Sequence, residues 1–283
     1  MDKRVLVIGA TGLVGSALMR ILERMDISVL GTFYSQGDNS YQYMNLASIP
    51  SIDSILNVFH PNEIYIAGAI SDVDRCEIEP EKTYGANVGA IRHLVKYSNN
   101  TNTRLIFFSS SYVFNGNQER PYTIYDSPMP LNSYGLQKLL AEKEILNGCD
   151  RNIVVRTVGV FGKEEARKNF GYRVVDNILA GRLVRVPTDQ LMNPILSDDL
   201  ASLTVKAVES DYRGLLHIAG QECLSKFDFA VDIARTFDLP EQSIVQSTHN
   251  KGKALRPVNG CLQNSFMTDC NYLESLERFS HDF

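Results

Sequence analysis

Arg4-Val5-Leu6-Val7-Ile8-Gly9-Ala10-Thr11-Gly12-Leu13-Val14-Gly15 is the stretch that decides the fold. Arg4 to Ile8 is a short apolar run, long enough for one strand buried on both faces of a parallel sheet. Three glycines follow at once. Beyond them Leu13, Ala17, Leu18, Ile21 and Leu22 recur at helical spacing. Strand, tight turn and helix in that order imply a dinucleotide-binding unit. Gly9 would permit the turn, Gly12 would let the backbone approach a pyrophosphate, and Gly15 would let helix pack on strand. The N–H groups and positive dipole end of the helix would then face the anion. The spacing is G-x-x-G-x-x-G rather than G-x-G-x-x-G, so the flanking strand and helix carry the reading.

Outward from this unit, strands and helices alternate. Strands are predicted at Ile27 to Phe33, Glu63 to Ala67, Thr103 to Phe108 and Asn152 to Arg156. Helices are predicted at Ser51 to Phe59 and Tyr84 to Tyr97. The alternation indicates an α/β fold with a doubly wound parallel sheet of the Rossmann type. After Arg156 the pattern loosens. Helix-like segments follow at Tyr172–Ala180, Asp198–Glu209 and Phe227–Phe237, and Leu215 to Ala219 reads as a strand returning to the sheet. Residues 1–158, with returning segments at about 191–220, are expected to form the NAD(P)-binding domain. Residues 159–190 and 221–283 are expected to form a smaller substrate-binding region.

Two further segments carry chemistry. Tyr134 is the only one of thirteen tyrosines with a lysine four residues on, Lys138. Ser133 to Glu142 has helical periodicity with Asn132 or Ser133 as a cap, so phenol and ammonium share a helix face. An ammonium there is expected to lower the phenol's pKa toward working pH. Ser109-Ser110-Ser111 ends the strand through Phe108, where open α/β sheets bind ligands. Together the three segments imply hydride transfer between a nicotinamide and an alcohol or ketone.

Composition narrows the alternatives. The net charge of −5 is spread without blocks, which points away from nucleic acid. No apolar stretch has the length of a membrane span. Five cysteines (Cys76, Cys149, Cys223, Cys261 and Cys270) show no CxxC pair and are read as reduced. With the first strand starting at the N-terminus, a cytoplasmic location is expected. Five scattered histidines show no metal-ligand spacing, and no metal is expected.

Several segments resemble the extended short-chain dehydrogenases/reductases, and within them the dTDP-4-dehydrorhamnose reductase branch, over nearly the whole chain. Gly68-Ala69-Ile70-Ser71-Asp72-Val73-Asp74-Arg75-Cys76-Glu77 resembles that family's A-A-Y-T-x-V-D-x-A-E segment. Ser109 to Gly116 resembles S-T-D-Y-V-F-D-G, and Arg156 to Gly162 resembles R-T-S-W-V-Y-G. Asn169-Phe170 matches an N-F pair, and Arg256 to Asn259 a late R-P-x-N segment. The resemblance implies that Tyr134 is the acid–base, Lys138 its partner and ribose ligand, and Ser110 the holder of the carbonyl. It implies that Asn87 supports the proton relay. Gly9, Thr11, Gly12, Leu13 and Val14 would cradle the pyrophosphate, Asn45 and Leu46 would flank the adenine, and Ala67, Gly68, Ala69 and Thr157 would line the cofactor cleft. Ser71, Val73, Tyr112 and Asn169 would face the substrate. Three departures stand out: Ser110 for a threonine, Ser111 for an acid and Gly159 for a tryptophan beside the sugar.

The implied activity is NAD(P)H-dependent reduction of a nucleotide-linked 4-keto-6-deoxy sugar, with a homodimer as the candidate assembly. A nucleotide-sugar epimerase or dehydratase shares the fold, although Ser111 stands where dehydratases carry an acid. A non-catalytic NADP-binding subunit, similar to the regulatory β subunit of methionine adenosyltransferase, is the reading from another class. NADP is the expected cofactor, with NAD tolerated. The segment after the second strand has neither the acid of NAD sites nor the arginine of NADP sites. Thr32, Ser35 and Gln36 could donate to a 2′-phosphate, and Asp38 lies beyond the turn.

Overall fold

In the computed structural model, which describes residues 3–35, 40–248, 252–266 and 270–283, Arg4–Ile8 forms strand β1. Its side chains alternate between two cores. Val5 and Val7 enter one, Leu6 and Ile8 the other, as a strand buried on both faces must. Further strands are β2 (Ser28–Phe33), β3 (Gln42–Tyr43), β4 (Glu63–Ile66), β5 (Arg104–Phe108), β6 (Ile153–Arg156), β7 (Val160–Phe161), β8 (Val184–Pro187), β9 (Leu191–Met192), β10 (Ile195–Leu196), β11 (Gly214–His217), β12 (Leu224–Ser225) and β13 (Ile244–Ser247). The helices are α1 (Leu13–Leu22), α2 (Ile49–Phe59), α3 (Val73–Ile78), α4 (Pro80–Tyr84), α5 (Ala90–Thr101), α6 (Ser133–Leu146), α7 (Phe170–Leu179), α8 (Ser197–Glu209), α9 (Lys226–Thr236) and α10 (Tyr272–His281).

Seven strands form one sheet in the order β11-β6-β5-β4-β1-β2-β3. Its pairings are parallel, for example Val5 with Val29 on one side of β1 and with Glu63 on the other. All carboxyl ends therefore lie along one edge. The chain leaves β1 toward β2 and β3, then returns to β4 on the opposite side of β1. That reversal opens the crevice in which doubly wound sheets hold their ligands. Helices α1 and α8 cover one face through Leu18, Leu22, Leu200 and Leu203. Helices α2, α5 and α6 cover the other through Ile52, Leu56, Leu94 and Ile145. A further core joins α7, α9 and α10 through Tyr172, Val175, Phe229, Ile233 and Phe279, beside the parallel pair β8–β13.

Three sequence expectations change. The helix expected from Tyr84 begins earlier, at Pro80, and passes through a π turn at Gly85–Gly89 before continuing as α5. The extra residue of a π turn rotates the following side chains, and Asn87 sits within it. Helix α10 was not anticipated. Its buried side chains Tyr272, Ser275, Leu276 and Phe279 share one face, but polar residues interrupt the apolar run. The reading of all five cysteines as reduced is corrected, because Cys223 and Cys261 form a disulfide with Cα atoms 5.8 Å apart. Pairing of β12 with β9, and the bond from the Gly260 N–H to the Leu191 oxygen of β9, bring them together. Their separation of 38 residues gives no hint of it. Among the described residues, no helix is long and apolar enough to cross a membrane.

Candidate active site

The glycine turn is built by close approach. Gly9 has φ +84°, and a Cβ there would lie 2.6 Å from the Gly68 Cα at the end of β4. A Cβ on Gly15 would lie 2.0 Å from the Gly9 oxygen. These two glycines are therefore demanded by the fold. Gly12 differs: it caps α1 with no side-chain bond, and its Cβ would meet only the Gly9 oxygen at 3.3 Å. Its exposed position leaves room on the side from which a ligand would come. The first-turn N–H groups of Leu13 and Val14 have no intrahelical acceptor by geometry, and Thr11 lies half-buried beside them. Such a cradle fits a dinucleotide pyrophosphate. The Ile8 oxygen accepts from both Ala67 and Gly68, which holds residues 67–69 along the same crevice.

At the far end of β2 the residues divide. Thr32 is buried, and its hydroxyl lies 3.2 Å from the Gly9 N–H, which donates to it. It also reaches the Val7 oxygen at 3.4 Å. That hydroxyl is committed to the fold, so the expectation that it serves a 2′-phosphate is corrected. Ser35 is exposed and keeps that role open. Gln36 and Asp38 lie outside the described residues. Asn45 forms a turn by accepting from Ala47, while Leu46 packs on the core.

The candidate reacting groups lie at the carboxyl ends of β5 and β6. Ser110 is extended, and its Oγ accepts from the Tyr112 N–H. Asn132 caps α6 by accepting from Gly135, which starts the helix one residue before Tyr134. Ser110 stands close enough to the Tyr134 phenol to act on its pKa. The Tyr134 ring meets Tyr112 edge-on at 5.9 Å. Burial, foremost, drives the Tyr134 pKa above the usual phenol range, with Tyr112 and Cys76 adding to it and Ser110 opposing. Lys138 donates to the Phe108 oxygen at 2.8 Å, and burial lowers its pKa to about 8 against the opposing pull of Glu142. The expectation that Lys138 lowers the Tyr134 pKa is thus corrected for this state: burial outweighs it, and the ammonium bonds a carbonyl. The phenol stays protonated, the form a general acid requires.

Other assignments shift as well. Asn87 accepts from the Ile70 N–H at 2.8 Å and donates to the Ile70 oxygen at 3.0 Å and to Gln137 at 2.8 Å. These bonds pin the backbone of residue 70 and make Asn87 a positioning residue. Asn169 caps α7 and donates to the Gly162 oxygen and to Glu164, so its amide is spent on the fold rather than on a substrate. Ser71 and Val73 flank Asp72, the cap of α3, with Ser71 exposed and Val73 half-buried. Thr157 is buried with no partner for its hydroxyl among the described residues, as is Ser111. Both lie at the β5–β6 edge, where Ser111 N–H donates to the Thr157 oxygen. Gly159 has φ +61°, and a Cβ would meet the Met192 sulfur at 3.0 Å. A tryptophan there would be strained, so the departure from the family pattern is built into the backbone.

Two features escaped the sequence reading. Glu142, four residues past Lys138, is buried and accepts from Ser109 Oγ at 2.5 Å and from Arg156 at 2.9 and 2.7 Å. The run Tyr134, Lys138, Glu142 on one helix face was the available signal. Arg256 pairs with Asp74 at 2.8 Å and stands close enough to Tyr112 to act on its phenol. It was matched only as part of a motif.

A glycine cradle and a Ser–Tyr–Lys cluster opening on one edge of a seven-stranded parallel sheet place the molecule among the extended short-chain dehydrogenases/reductases. The chain belongs to the RmlD substrate binding domain family, whose model matches residues 3–279. It is 29% identical over 276 residues to a dTDP-4-dehydrorhamnose reductase of Aggregatibacter actinomycetemcomitans, covering 92% of this chain and 90% of that one. It is 30% identical over 283 residues to the methionine adenosyltransferase 2 subunit beta of Danio rerio, covering 97% and 85%. The crystal structure of dTDP-4-dehydrorhamnose reductase from Bacillus anthracis in complex with NADP superposes with a TM-score of 0.90 over all of both chains, at 23% identity.

Proposed function

We propose that this chain is an NADPH-dependent reductase of a nucleotide-linked 4-keto-6-deoxy sugar. The observation that carries the reading is the convergence of Ser110, Tyr134 and Lys138 beside the Gly9–Gly15 cradle. The names of two similar proteins, both dTDP-4-dehydrorhamnose reductases and one of them holding NADP, support it. Bound NADPH supplies the hydride. The residues do the rest: Ser110 holds the keto oxygen, and Tyr134, kept protonated by burial, gives that oxygen its proton. Lys138 exchanges the Phe108 oxygen for the ribose hydroxyls. Asn87 fixes residues 69–71 along the cleft through Ile70.

A second reading, a non-catalytic NADP-binding subunit, rests on the similarity to methionine adenosyltransferase 2 subunit beta and on Gly159 in the place of a tryptophan. Purified protein is to be assayed for NADPH oxidation with 4-keto-6-deoxy sugars on dTDP, GDP, UDP and CDP. Turnover is expected with one of them. Tyr134→Phe is expected to lose roughly 10²–10⁴-fold in kcat, the usual worth of a general acid, with NADPH affinity unchanged. Tight NADPH binding with no turnover on any of the four would leave the subunit reading standing instead.

A further inference from the structure

Residues 254–262 form a strap between two walls of the reacting cluster. At one end the Ala254 N–H donates to Asp74 at 2.9 Å, and the Leu255 oxygen accepts from the Asn132 amide at 2.7 Å. The same Asn132 side chain caps α6 by accepting from the Gly135 N–H, next to Tyr134. In its middle the strap is tied to β9: Leu191 N–H donates to the Val258 oxygen at 2.7 Å, and Gly260 N–H to the Leu191 oxygen at 2.9 Å. At Gly260 the backbone lies against Ser111, whose Oγ would stand 3.2 Å from a Cβ placed there. Ser111 directly follows Ser110. The strap therefore touches both the serine turn and the start of the tyrosine helix. A covalent bond, from Cys261 to Cys223, holds its far end.

The two sulfurs differ in access. Cys261 is fully buried, whereas Cys223 is exposed just before β12. We propose that the Cys223–Cys261 bridge is a site of thiol–disulfide exchange that sets the strap, and through it the spacing of Ser110 and Tyr134, with the bridged form the more active. The co-reactant is a dithiol. Its thiolate attacks the exposed Cys223 Sγ, the bridge breaks, and the electron pair leaves on Cys261 Sγ, which takes a proton. The second thiol of the reductant, as thiolate, attacks the mixed disulfide and frees Cys223, which takes a proton in turn. The reductant departs as its own disulfide, having passed two electrons and two protons to the protein. Without the bridge, hydrogen bonds and packing hold the strap, and the β12–β9 pairing beside it is only two residues long, too short to be stable by itself. Each opening takes the Leu255 oxygen from Asn132 and the Gly260 backbone from Ser111.

The effect on turnover rests on the reductase reading; the effect on the strap does not, and the two are measured apart. The protein is compared bridged, after dithiothreitol and after reoxidation, with the state of the bridge read by peptide mass spectrometry. Amide hydrogen exchange is followed at 254–262 and 132–136, beside NADPH titration and steady-state kinetics on the keto sugar that turns over. Reduction is expected to speed exchange in both segments by about tenfold or more. It should lower kcat by about tenfold, within the ~10²-fold that a displacement of 1 Å costs. NADPH affinity should fall less than kcat, since the cradle lies on β1 and α1. Reoxidation should restore the bridged values. Cys223→Ala should behave as the reduced protein and ignore dithiothreitol. Unchanged exchange at 132–136 on reduction, a bridge that dithiothreitol leaves closed in the folded protein, or a Cys223→Ala variant that still responds to dithiothreitol would overturn the proposal. Faster exchange in both segments with no turnover in either form would leave the switch in place and count against the reductase reading alone.

Discussion

Gly135 gives the sharpest perturbation of the reacting groups, because it touches none of them. It follows Tyr134 at the start of α6, and its N–H is held by the Asn132 cap at 2.8 Å. A Cβ at 135 would stand 2.1 Å from the Tyr112 oxygen, 2.9 Å from the Tyr112 carbonyl carbon and 3.0 Å from Pro130 Cβ, where ordinary contact begins at 3.4 Å. The first two atoms are backbone and cannot swing away. Gly135→Ala must therefore separate the α6 start from the 110–112 turn by about 1 Å, and a shift of that size costs an enzyme about 10²-fold. Helix propensity acts the other way, favouring Ala by about 1 kcal/mol. Overpacking costs roughly 1–3 kcal/mol, so a net loss is expected, and each kcal/mol lowers Tm by roughly 2–4 °C. The pyrophosphate cradle is remote and only the Lys138 contact with the ribose lies on α6, so NADPH affinity should fall less than kcat. The assays are steady-state reductase kinetics, calorimetric NADPH titration and a thermal melt. An Ala variant with kcat within about twofold of wild type and an unmoved melt would refute the claim that this close approach sets the Ser110–Tyr134 geometry.

Two further outcomes follow from the same geometry. Asn87→Ala strips the Ile70 N–H and the Gln137 amide oxygen of their bonds to Asn87 and leaves the Ile70 oxygen only the Cys76 thiol; at about 1–3 kcal/mol per group left unsatisfied, the melt should fall by several degrees, and kcat should drop more than NADPH affinity, with Asn87→Asp restoring only the bond from Ile70 N–H. Ser35→Asp places a carboxylate at the exposed end of β2 and should shift the kcat/KM ratio toward NADH by repelling a 2′-phosphate; an unmoved ratio would locate the choice elsewhere.

The sheet was legible where its strands are buried on both faces. Continuous apolar runs such as Arg4–Ile8 and Arg104–Phe108 carry their own signal, and the turn glycines punctuate them. The α-helical stretches around 49–59 and 197–209 were legible through their 3.6-residue period. What stayed hidden depends on partners distant in sequence. Nothing near Thr32 says that its hydroxyl will be consumed by Gly9, and nothing near Asn169 says that Gly162 and Glu164 will occupy its amide. The Cys223–Cys261 bridge belongs to the same class, since it needs β12 beside β9.

The glycines show how a motif can be right in outline while its members do different work. Gly9 and Gly15 answer to backbone atoms of the fold, at 2.6 and 2.0 Å from where a Cβ would sit. Either would be required with no ligand at all. Gly12 meets only one atom, at 3.3 Å, and the free side of that residue is where a pyrophosphate would lie. The sequence presents three equal letters, and only the packing separates two structural glycines from one that faces a ligand. The same separation holds at the other end of the site. Tyr134 and Lys138 are found by spacing, but Arg256, which pairs with Asp74 beside them, comes from a segment more than a hundred residues beyond Lys138 (256 against 138). Its place depends on Asp74, which pairs with it, and on Asn132, which donates to the neighbouring Leu255 oxygen. Chemistry common to a fold class is written in short motifs because one helix or turn can hold it. Selectivity is written across the chain, because a bound substrate is wider than any single element.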